Sequence, residues 1–162
     1  MMELRDFWGD MRTLFEGQPT QINEIDLKHL TMGSMADCIT YLLHTAKDCN
    51  CRFTVPDTKA ELLLPSPHSV VNYILQEQIT AVMWLTFPAI PMLSVYVDYA
   101  DTLSFGYVRG AWDAMAVLAF FDLAYELSQR APGSQLSPSP HTFNADEQQQ
   151  LLAFWQDYRH AS

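Results

Sequence analysis

Positive charge is what this chain has least of. Lysine occurs three times, at Lys28, Lys47 and Lys59, and Lys and Arg together number 9 against 19 Asp and Glu, a net charge of -10. Proteins grip phosphate backbones with Lys and Arg and release counterions as they do so. Few, scattered cations argue against a nucleic-acid or anionic-membrane binder. The charge instead suits a protein partner with a basic surface, or simple solubility.

Other absences narrow the chemistry. Cysteine appears at 38, 49 and 51 only, an odd count that makes no disulfide framework. The six glycines are scattered, so no glycine-rich phosphate loop is present. Ser34 lies in Met-Gly-Ser-Met, which lacks the second glycine of a nucleophile elbow. The longest apolar stretch, residues 111–127, is interrupted by Asp113, Asp122 and Glu126. A bilayer span needs about 20 apolar residues. The N-terminus has no basic region followed by an apolar run, the mark of a secretory signal. These features together predict a cytoplasmic protein in a reducing compartment.

What is present is core-forming material. Hydrophobic residues make up 49% of the chain, with four Trp, seven Tyr and nine Phe. Large aromatics bury enough surface for a domain of 162 residues to fold without disulfides or metals. The length fits a single domain, 1–162.

Apolar residues recur at helical spacing from Leu4 to Phe15, and Gly17 and Pro19 end that helix. Residues 18–33 show no clear period. Ser34, with Asp37 three residues on, predicts the cap of a second helix running to about Asp48. Residues 49–55 alternate, with Cys49, Cys51, Phe53 and Val55 on one face of a strand, and residues 59–64 suit a return strand. Ser66 and Pro67 suit the start of a third helix to about Gln78, although the β-branched residues there also fit a strand. Residues 79–87, 92–99 and 103–109 read as strands, the last two forming a hairpin. A long helix follows Gly110 to about Arg130, with Asp113 in its first turn. Residues 131–143, rich in Pro and Ser, read as an exposed loop, and Asn144 with Glu147 caps a C-terminal helix. The order predicts an α+β fold: an antiparallel sheet of about four or five strands packed against helices, with N- and C-terminal helices.

Candidate chemistry is sparse. His44 near Cys38, Cys49 and Cys51 is the nearest approach to a metal set, but the cysteine spacing is not that of a zinc knuckle and no second pair exists. Buried structural thiols are the simpler reading, so no metal and no cofactor is expected. A cysteine nucleophile would need a base and an orienting group, and nothing in the sequence supplies that local signature. Two carboxylate pairs remain, Asp98 with Asp101 at the hairpin and Asp122 with Glu126 one helical turn apart. Such pairs perform acid–base work only where their environments split their pKa values. Otherwise Asp at a turn and an acidic edge on an apolar helix explain them.

The same residues suit protein binding. Tyr96 and Tyr99 beside Asp98 and Asp101 combine rigid contact area with negative charge, and Asp122 and Glu126 add to it. Tyr107 and Trp112 read as core residues. The expectation is a non-enzymatic protein-binding protein, an acidic bacterial immunity protein that neutralises a basic toxin or effector enzyme. That match is one of profile, without a shared motif. The alternatives are a small enzyme with an unrecognised site and an inhibitor or adaptor that mimics nucleic acid.

Overall fold

The computed structural model describes residues 4–62, 71–76 and 80–161. Along the chain run α1 (Leu4–Phe15), β1 (Ile22–Lys28), α2 (Met32–Thr45), β2 (Asp48–Thr54), β3 (Glu61–Leu62) and α3 (Val71–Leu75). These are followed by β4 (Thr80–Phe87), β5 (Ile90–Tyr99), β6 (Thr102–Val108), α4 (Ala114–Arg130), β7 (Gln135–Pro138) and α5 (Ala145–Ala161). The fold is α+β. Among the described residues its sheet holds seven strands in the order β3-β2-β4-β5-β6-β1-β7, every pair antiparallel, so it is wider than the four or five strands expected.

Alternation decides which face of the sheet is buried. Along β4, Ala81, Met83, Leu85 and Phe87 point into the core, and Leu93 and Val95 of β5 and Leu103, Phe105 and Tyr107 of β6 continue that layer. Residues of α1, α2, α4 and α5 join the same apolar cluster. Phe7, Met11 and Leu14 of α1 recur every third or fourth residue, which places them on one helix face. Trp112 and Tyr107 are core residues, with Tyr107 stacked on Phe15 at 4.7 Å and its hydroxyl donating to the Leu14 carbonyl at 2.7 Å.

Several local expectations shift. The cap of α2 is Thr31, not Ser34: Ser34 is the N3 residue, and the two exchange hydrogen bonds in a capping box. Asp113 caps α4 from outside its first turn, accepting from the Ala116 amide at 2.8 Å. The cap of α5 is as the sequence has it, with Asn144 and Glu147 bonding each other's backbone amides. Two strands were not foreseen. β1 occupies the segment without a clear period, and β7 lies in the Pro/Ser-rich stretch at 131–143. There Leu136, Pro138 and Ser139 are buried, so that stretch is not an exposed loop. Pro138 is tolerated because β7 is an edge strand with one partner. Residues 71–75 are helical, which answers part of the helix-or-strand question; Ser66 and Pro67 lie outside the described residues.

Candidate functional site

The helices pack on one side of the sheet, and the residues alternating with the core layer make up the other. Register places Arg52, Val82, Tyr96, Ser104, Asp26 and Ser137 in one row across six strands. The next row is Asn50, Trp84, Ser94, Gly106 and Glu24. Beyond it Ile22 pairs with Val108, and Met92 lies two residues past the Ser94–Gly106 pair. Among the described residues, none of these side chains belongs to the apolar cluster that the helices cover.

This open face has two distinct halves. At one end Ile22 is 57% exposed, Met92 53% and Val108 37%, with Trp84 half-buried beside them. Gly106 keeps the floor between them low, since a Cβ there would collide with Ser94 Oγ. Toward the other end lie Glu24, Asp26 and Asp98, and the Glu24 and Asp98 charges are close enough to raise the proton affinity of Asp26. Burial is the main reason that the Asp26 carboxyl is held above its ordinary value. The Ser104 hydroxyl, donating to Asp26 Oδ1 at 2.8 Å, and the Lys28 charge oppose that shift. The Tyr96 phenol is also pushed up, first by burial and then by the Glu24 carboxylate, with which it is hydrogen-bonded. Lys28 and Arg52 flank the acids, so the face is acidic in balance rather than uniformly.

The six residues expected to bind a partner fall into three places. Tyr96 and Asp98 stand on the open face. Tyr99, 69% exposed, and Asp101 sit at the β5–β6 turn, where His29 Nδ1 lies 4.0 Å from Asp101 Oδ2. Asp122 and Glu126 lie on the exposed side of α4 in the helical layer, and Asp122 accepts a hydrogen bond from Tyr158 of α5. Sequence reasoning missed Glu24, Asp26 and Ile22, whose strand period is weak and which only the pairing of β1 with β6 brings onto the face of Tyr96. It also passed over Val108, the last residue of β6.

The remaining places for chemistry are poor. Between α2 and α4 an open groove of about 550 Å³ is lined by Asp37, Thr40, Tyr41, His44, Gln129 and Arg130. Arg130 is engaged there, its guanidinium 3.9 Å above the Tyr41 ring. A small apolar void under β1 and β6 measures about 10 Å³, at the lower limit for one water. Among the described residues no three His, Cys, Asp or Glu side chains are grouped to hold a metal ion. Among them, too, no helix is long and apolar enough to cross a membrane. Of the three cysteines only Cys38 is buried, its thiol pushed up to about 11 by burial; Cys49 is exposed and Cys51 half-buried. The expectation of three buried structural thiols therefore holds for Cys38 alone.

No family model, curated protein or solved structure matches this chain.

Proposed function

We propose that this protein binds another protein through the open face of its sheet, and that the partner carries a basic surface. One observation carries the reading: an uncovered apolar group, Ile22, Met92 and Val108, sits on the same face as Glu24, Asp26 and Asp98. Exposed apolar side chains beside charge suit a docking surface, with the apolar group as anchor and the acids as steering charge. The net charge of -10 acts in the same direction at longer range.

The concrete form of the proposal is neutralisation. An acidic face laid over the basic cleft of a toxin or effector enzyme excludes that enzyme's substrate, which is how an immunity protein protects its host. Catalysis by this chain has less support. The carboxylates at 98, 101, 122 and 126 are divided among the open face, a turn and the helical layer, so they do not form one acid–base site.

The test is capture from the native host with this chain as bait, at low and high salt, followed by assay of the captured protein. A stoichiometric complex with one basic enzyme, and loss of that enzyme's activity, is the expected result. Ile22→Ala with Met92→Ala should speed dissociation by about tenfold or more, as truncated anchors do. Both side chains are exposed, so the fold is not at stake. A captured enzyme that stays fully active in the complex would remove the neutralising role.

A further inference from the structure

Cys49 and Cys51 are two residues apart on β2 and share the side of the sheet that faces the helices, Cys49 opposite Leu85 and Cys51 opposite Met83. Neither is enclosed there, since Cys49 is exposed and Cys51 half-buried at the margin of the core. Their sulfurs converge to 2.8 Å. A disulfide bond is about 2.05 Å long and joins Cα atoms about 4.4–6.8 Å apart. Two residues of strand rise about 6.6 Å, just inside that window. On its outer side β2 pairs with β3 at Phe53 and Thr54, and Asn50, between the cysteines, is exposed.

We propose that Cys49 and Cys51 are a reactive dithiol that low-molecular-weight disulfides close to an intrastrand disulfide. Exposed Cys49 reacts first. Its thiolate attacks one sulfur of the small disulfide, forms a mixed disulfide and expels one thiolate, which takes up a proton. The Cys51 sulfur, already in contact, then attacks Cys49 Sγ, breaks the mixed disulfide and expels the second thiolate. The protein gives up two electrons and two protons, and the small disulfide becomes two thiols. Burial and the hydrogen bond with Cys49 push the Cys51 thiol up to about 12, which agrees with its acting second, from within the pair. Cys38, buried beneath α4 and directed at the Leu127 carbonyl, takes no part.

The test is incubation of the full folded chain with glutathione disulfide, followed by intact and peptide mass measurement. The wild-type chain is expected to lose two hydrogens with no retained glutathione, and the link should map to 49 and 51. Cys51→Ser should stop at a stable glutathione adduct on Cys49. Cys38→Ser should close as the wild type does, with circular dichroism checking that each variant is folded. Stable glutathione adducts on the wild-type chain, a link through Cys38, or no reaction would each overturn the proposal.

Discussion

At the scale of single residues, Arg109 ties several elements together. It is 5% exposed. Its Nε donates to Asn23 Oδ1 at 2.7 Å, one Nη to the Thr13 carbonyl at 2.9 Å and the other to Glu147 Oε2 at 2.9 Å. One guanidinium therefore joins the turn after β6 to β1, α1 and the first turn of α5. Removing one partner of a buried ion pair strands the other charge and costs about 3–5 kcal/mol. Arg109→Met should lower the unfolding free energy by about that much, read as a lower urea midpoint. Arg109→Lys should recover only part of it, because an ammonium cannot span the fork. Asp26 has the opposite economy. Its carboxyl is held above the ordinary 3.8, so the folded chain binds that proton more tightly than the unfolded chain. Below 3.8 both states are protonated and nothing is lost. As pH rises through 3.8 the unfolded chain ionises first, and stability falls until the folded carboxyl has ionised too. Asp26→Asn keeps an acceptor for Ser104 and removes that loss. Urea melts should show the variant gaining on the wild type as pH rises above 3.8.

At the scale of elements, the turn from β6 into α4 depends on a glycine. Gly110 has φ +102°, and a Cβ there would lie 2.9 Å from the Gly17 carbonyl oxygen while the Gly110 amide donates to Phe15. Gly110→Ala should cost about 1–3 kcal/mol, visible as a lower melting temperature. The elements legible in the sequence are those in which one local pattern does all the work. The β5–β6 hairpin shows itself because Leu93, Val95 and Val97 alternate with polar residues, and α5 because Asn144 and Glu147 form a capping box. β1 was illegible for a physical reason. Asn23, a polar residue on the core side, is 0% exposed because Arg109 binds it. Asp26 is buried because Ser104, 78 residues away, donates to it. Polar residues satisfied by distant partners erase the local period that marks a strand. β7 was illegible because Gln-Leu-Ser-Pro has loop composition and becomes a strand only by pairing with β1.

At the scale of the whole molecule, the sheet separates two kinds of surface. One side is closed by helices, and the other presents acids and exposed apolar groups together. Part of that site could be read in advance. Alternation put Tyr96 and Asp98 on one face, but Glu24, Asp26 and Ile22 arrive there only through the long-range β1–β6 pairing. Asp122 and Glu126, equally acidic in sequence, belong to α4 and the helical layer. The two carboxylate groups therefore act as each other's control. The decisive measurement is the association rate of the captured partner across a range of ionic strength. It would be made for the wild type, for Glu24→Gln with Asp98→Asn, and for Asp122→Asn with Glu126→Gln. If the partner docks on the open face, the first pair should slow association by about tenfold at low salt and flatten its salt dependence. The second pair should behave much like the wild type. An unchanged rate and salt dependence for the Glu24 and Asp98 pair would contradict docking on the open face.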